Sequence, residues 1–208
     1  MENESISKED INKLPLYAYD GPVRVIYQPH DVAKAVDRLS REAILGFDTE
    51  TKPVFVKGVS HPPALMQFAA EKEVVIIQLL RMTDYTAIAS LLSNPNVIKA
   101  GVALGDDIKK LKGVFEFEPA GFEELGYYCK ALGLKQTGLR PLTAMLFGYR
   151  ISKREQRSNW AREDLTPAQI TYAATDAWMS RELFLGLRKM KAEMPEPAAT
   201  EAQLDLGI

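Results

Sequence analysis

The chain of 208 residues is 46% hydrophobic and 26% charged, the balance of a soluble protein with one full core rather than a disordered or fibrous one. No apolar run approaches the roughly 20 residues that span a bilayer, and the polar N-terminus lacks the apolar stretch of a secretory signal, so a cytoplasmic location is expected. The lone Cys129 excludes an internal disulfide and a thiolate zinc site, while a net charge of −2 leaves polyanion binding open, because phosphate affinity follows local clusters of Lys and Arg.

Residues 1–19 are polar and expected to be mobile, residues 20–191 form the domain, and residues 192–208, acidic with two prolines, read as a flexible tail. Alternation over 23–27 predicts a half-buried strand, and the apolar spacing of Val32, Ala35, Val36 and Leu39 predicts a helix over 30–41. The continuous apolar run 43–47 reads as a central strand ending at Asp48. Strands follow over 64–69 and 74–79, joined by a link short enough for an antiparallel hairpin. A helix over 85–92 leads to a strand over 97–102, and helices are expected over 104–113, 121–132, 138–147 and 167–190. The last begins at Thr166-Pro167-Ala168-Gln169, with an N-cap hydroxyl, proline at the first helical position and glutamine at the capping-box position. The sum is an α/β domain on a mixed sheet with a helical second half.

Asp48 and Glu50 flank Thr49 on the central strand, and residues i and i+2 of a strand face one side. Two carboxylates held side by side repel unless a cation sits between them, and oxygen ligands of this kind suit Mg²⁺ or Mn²⁺. Tyr172 and Asp176 are four apart on the capped helix and so project from one face, among the small residues Ala173, Ala174 and Ala177. A third acidic element, Asp106-Asp107, falls in the first turn of a helix, where acids also favour the helix dipole.

In this order and spacing, Asp48-Thr49-Glu50, Asp107-x-x-x-Leu111 and Tyr172-x-x-x-Asp176 resemble the three exonuclease motifs of the DEDD superfamily, in its tyrosine subclass. The block Gln156-Arg157-Ser158-Asn159-Trp160 resembles the branch that includes ribonuclease D and the Werner-syndrome-type exonuclease. That resemblance implies a ribonuclease H-like sheet whose first three strands run antiparallel. It implies a 3′-5′ exonuclease with two Mg²⁺ or Mn²⁺ ions about 4 Å apart, held by Asp48, Glu50, Asp107 and Asp176, with Tyr172 orienting the attacking water. Asp106 and Asp107 cannot both face the site, and the family's spacing of Asp four before a buried Leu selects Asp107.

The segment 149–162 holds Arg150, Lys153, Arg154, Arg157 and Arg162 against Glu155 alone, interleaved with Tyr149 and Trp160. It reads as a phosphate-tracking surface, with Thr49, Arg157 and Trp160 as candidate nucleic-acid contacts, although Trp160 equally fits a core position. The implied partner is nucleic acid with a free 3′ end. DNA is favoured over ribonuclease D-like RNA trimming because the chain is too short for the extra helical domains of ribonuclease D, and a DNA-repair setting follows by analogy. A domain that grips nucleic-acid ends with weak catalysis is the alternative. No helicase or repair partner can be read from the residues. His30 and His61 show no ligand spacing.

Overall fold

The computed structural model describes residues 5–56 and 58–194. Six strands form one sheet in the order β1-β4-β3-β2-β5-β6, where β1 is Val23–Ile26, β2 Ile44–Thr51, β3 Pro63–Ala69, β4 Val74–Gln78, β5 Ile98–Gly101 and β6 Phe122–Glu124. The antiparallel run expected of the first three strands is carried by β2, β3 and β4. β1 instead pairs in parallel with β4 at the sheet edge, and β5 and β6 extend the other side in parallel.

Helices α1 (Lys8–Lys13), α2 (Pro29–Leu39), α3 (Thr86–Leu92), α4 (Leu104–Lys112), α5 (Leu125–Ala131), α6 (Leu139–Phe147) and α7 (Pro167–Ala192) surround the sheet. One sheet face buries Phe47, Met66 and Phe68 against Val32, Leu39, Ile88 and Leu111. The other buries Leu65, Ala69 and Ile76 against Ala173, Ala174 and Ala177 of α7. Cys129 is buried and packs with Leu125, Leu142, Leu183 and Leu187 where α5 and α6 meet α7.

Two expectations are corrected. The helix expected over 121–132 begins only at Leu125, because residues 122–124 pair with β5. Gly121, at φ +67°, turns the chain into that strand, and its carbonyl accepts from the Lys99 N–H at 2.7 Å. Residues 5–19, expected to be mobile, are tied down. The Tyr17 N–H donates to the Arg150 carbonyl at 2.8 Å, the Arg150 N–H to the Pro15 carbonyl at 2.9 Å, and the Tyr19 N–H to Thr175 Oγ1 at 3.0 Å. These partners come from residues more than a hundred positions away, which local polarity could not show. Residues 1–4, and 195–208 of the expected tail, lie outside the described residues.

Candidate active site

β2 runs four residues past the apolar stretch that defined it, and this extension carries the site. Asp48 and Glu50 stand on the face toward α7, as does Gly46, on which a Cβ would lie 2.0 Å from the Ala177 carbonyl and 2.7 Å from the Arg181 nitrogen. Glycine at 46 thus lets the α7 backbone rest directly on β2. The helix phase is set at its start: Thr166 Oγ1 accepts from the Gln169 N–H at 3.2 Å, and Gln169 Oε1 accepts from the Thr166 N–H at 3.0 Å. Gln169 Nε2 also donates to Ser158 Oγ at 2.7 Å and to the Asn159 carbonyl at 3.2 Å. The Ser-Asn-Trp block is therefore a brace for the helix that delivers Tyr172 and Asp176.

With α7 seated this closely, Asp48, Glu50 and Asp176 each offer a carboxylate oxygen, and the three oxygens lie within 4.8 Å of one another. Burial, then the charges of Asp176 and Asp107, pushes Asp48 well above the usual carboxylate range. Burial and the neighbouring Asp48 push Glu50 up to about 10. Burial raises Asp176 to about 7, against the opposing effect of a hydrogen bond from the Tyr172 hydroxyl. The same burial, together with the charges of Asp176 and Glu50, pushes the Tyr172 phenol upward, so it stays a protonated donor. Three desolvated, mutually repelling oxygen donors fit a hard divalent cation, whose charge offsets both penalties.

Asp107 is not one of these three converging carboxylates; it stands on the opposite sheet face, near enough for its charge to act on Asp48. Its Oδ1 accepts a hydrogen bond from Thr49 Oγ1, and burial raises it to about 6 while that bond opposes the rise. Asp106 is exposed and lines a separate surface cavity with His61, Lys109 and Lys110. Of the two neighbours, Asp107 is the one the fold turns toward Asp48. The start of α4 is held by Glu124, whose carboxylate accepts from the Ala103 N–H at 3.1 Å and the Leu104 N–H at 2.8 Å. Ala103 is left-handed at φ 60°, which aims both N–H groups at that carboxylate.

The sequence matches a protein-family model described as a 3′-5′ exonuclease over residues 23–192, a span that contains all four carboxylates. The chain belongs to the 3′-5′ exonuclease family. It is 31% identical to ribonuclease D of Gluconacetobacter diazotrophicus over 174 residues, covering 81% of this chain and 43% of that protein. It is 30% identical to DNA polymerase I of Aquifex aeolicus over 161 residues, covering 77% of this chain and 26% of that one. The fold is also that of the crystal structure of Escherichia coli RNase D, with a TM-score of 0.74 and 21% identity, covering 82% of this chain and 45% of that one. The chain thus spans less than half the length of these three relatives.

Within this exonuclease-family domain the candidate nucleic-acid contacts fare unequally. Arg157 is exposed on a short 3-10 turn, Arg154–Arg157. Trp160 is only 1% exposed and packs its ring 5.8 Å from that of Tyr172, so it offers no face to a base and is a core residue. Thr49 is buried with its hydroxyl committed to Asp107 and its N–H donating to Asp48 Oδ1 at 2.9 Å. His61 borders the cavity beside α4, and His30 lies 3.5 Å from Asp31 on the surface. Two residues escaped notice in the sequence. Glu124 lies 21 and 20 positions from the two N–H groups it caps, beyond any local motif. Gln67 pairs in register with Asp48 across β3 and is fully buried with neither amide atom partnered; its one sequence signal is a lone amide in an apolar strand.

Proposed function

We propose that this domain hydrolyses phosphodiester bonds from the 3′ end of nucleic acid and releases nucleoside 5′-monophosphates. The convergence of Asp48, Glu50 and Asp176 within 4.8 Å, with Tyr172 one turn before Asp176 on α7, carries the reading. Asp48, Glu50 and Asp176 would hold one Mg²⁺ or Mn²⁺ ion, and Asp48 with Asp107 a second. Bound there, divalent ions supply charge neutralisation at the phosphodiester and a lowered pKa for the attacking water. Tyr172, a member of the motif that marks the tyrosine subclass, keeps its proton and so orients that water by donating or accepting a hydrogen bond. Thr49 fixes the direction of the Asp107 carboxylate, and the Gly46 contact fixes the separation of the strand acids from Asp176.

The expectation of DNA rested on chain length, which does not bear on the sugar. Relatives named ribonuclease D and DNA polymerase I match at 31% and 30% identity, so the proposal is set at the phosphodiester. Ribonuclease D-like trimming of RNA is the second reading, supported by the first of those relatives. The test is digestion of end-labelled DNA and RNA strands of matched sequence with Mg²⁺ or Mn²⁺. Stepwise loss of 3′ mononucleotides, abolished by Asp48→Ala and by Asp176→Ala, is expected, and the faster strand identifies the sugar. Activity that survives either substitution overturns the assignment. No helix among the described residues is long and apolar enough to cross a membrane.

A further inference from the structure

The N-terminal arm precedes the family-matched stretch, which begins at residue 23, yet it is built into the surroundings of the site. Arg150 Nε donates to the Leu14 carbonyl at 3.0 Å, reinforcing the main-chain pairing of the arm with Arg150, and the Tyr17 and Tyr149 rings lie 5.7 Å apart. Further along, Asn12 Oδ1 accepts from Arg140 Nη2 at 2.6 Å. An arm that served only to cover the core would leave no space beneath it.

Instead, a cavity of about 340 Å³ opens between residues 16–18 and the first turns of α7, and both Tyr172 and Asp176 line it. Its walls are chiefly carbon, and the charges of Arg154 and Glu155 at its border offset each other, leaving no net attraction for a phosphate. The volume suits a flat, mostly apolar group with a polar edge. A second cavity of about 240 Å³ shares Ser152, Tyr172 and Asp176 with the first, and is bordered by Arg140, Lys153 and Gln156. Here the cations dominate. Arg140 Nε is buried and has no hydrogen-bond partner, so one donor of the guanidinium that Asn12 orients is unspent.

We propose that the arm is a substrate-binding element: Leu16, Tyr17 and Ala18 seat a nucleobase beside the scissile phosphate, and Arg140, held by Asn12, takes an adjoining backbone phosphate with Lys153. This rests on the nuclease reading above and adds to it a place for the strand that the family-matched stretch alone does not complete.

The experiment uses the full chain and 12-nucleotide strands of thymidylate and of uridylate, each intact or with an abasic unit at the last or second-last position, and each outcome is read on the strand that binds more tightly. Binding is read by fluorescence anisotropy in Ca²⁺, and turnover in Mg²⁺ or Mn²⁺. Removing the base at one of these positions is expected to weaken binding by the wild type about 10-fold, the scale of one base contact. Leu16→Trp fills the apolar cavity from a residue that is 54% exposed, so folding is not at risk. It is expected to weaken binding of the intact strand about 10-fold and to shrink the intact-to-abasic ratio below about 2. Arg140→Gln is expected to lower the slope of log affinity against log salt by about 0.7, the loss of one phosphate contact on a single strand. A wild type indifferent to both abasic units, or a Leu16→Trp variant that keeps the wild-type ratio, overturns the inference. Base-dependent binding without turnover sinks the nuclease reading and leaves the arm's role standing; absence of both binding and turnover overturns the two together.

Discussion

The Thr49 hydroxyl donates a hydrogen bond to Asp107 Oδ1, latching the strand that carries Asp48 and Glu50 to the helix that carries the fourth carboxylate. Asp107 is raised to about 6 by burial, and the Thr49 bond is the largest effect opposing that rise. The latch therefore favours the ionised form, the form a cation requires.

Thr49→Val keeps the shape of the side chain and removes the donor. Turnover is expected to fall about 10- to 100-fold, the usual cost of losing a partner that orients a ligand carboxylate. Thr49→Ser, which retains the hydroxyl, is expected to recover most of it. Steady-state rates for the two variants across a Mg²⁺ titration check this. Equal losses in both would show that packing rather than the hydroxyl matters. In the same assay Asp107→Asn is expected to abolish turnover and Asp106→Asn, on the exposed side of α4, to spare it.

Tyr172→Phe separates packing from chemistry. The ring contact with Trp160 remains, so thermal stability is expected to hold. The hydroxyl is lost, and turnover is expected to drop by about 10²-fold or more, in the range of positioned acid–base groups. Because the Tyr172 hydrogen bond holds Asp176 down, its removal raises Asp176 further. The acidic limb of the pH–rate profile is expected to move to higher pH, and a limb that stays in place would detach Tyr172 from Asp176.

Much of this site was legible locally. The period of a strand placed Asp48 and Glu50 side by side, and the Thr166 capping box set the phase that puts Tyr172 and Asp176 on one face. What escaped depended on chain segments far apart. Trp160 sits in a basic, polar stretch, and only the packing of α7 against the sheet shows it to be buried. β6 is three residues long and exists because β5 lies beside it. The arm's polarity suggested motion, whereas its main-chain groups find partners at Arg150 and Thr175.

Cation removal is expected to make stability fall as pH rises. Asp176 is raised to about 7, Asp107 to about 6 and Glu50 to about 10 in the folded state, so the folded chain binds more protons than the unfolded one. With each folded value above its unfolded value, stability is lost as pH rises from the ordinary carboxylate range near 4 through these raised values. Thermal melts in EDTA at pH 5 and pH 8 are expected to show a drop of about 5 °C or more at the higher pH, since ~1 kcal/mol is worth ~2–4 °C at this size. Saturating Mg²⁺ is expected to remove most of that drop, because a bound cation stabilises the ionised cluster. A pH dependence unaffected by Mg²⁺ would mean that these carboxylates do not share a cation.

Gly46→Ala tests whether the contact of α7 on β2 sets the site. The added Cβ would meet backbone at 2.0 Å on the Ala177 carbonyl and 2.7 Å on the Arg181 nitrogen, neither of which can swing aside like a side-chain tip. Relief requires α7 to move off the strand, at a cost of about 3 kcal/mol. A melting temperature lower by about 6–12 °C is expected for a chain of this size. The same movement draws Asp176 away from Asp48 and Glu50, so turnover measured well below the melting transition is expected to fall with the folded fraction still near one. A variant that loses stability but keeps full turnover when folded would show that the carboxylate spacing is set elsewhere.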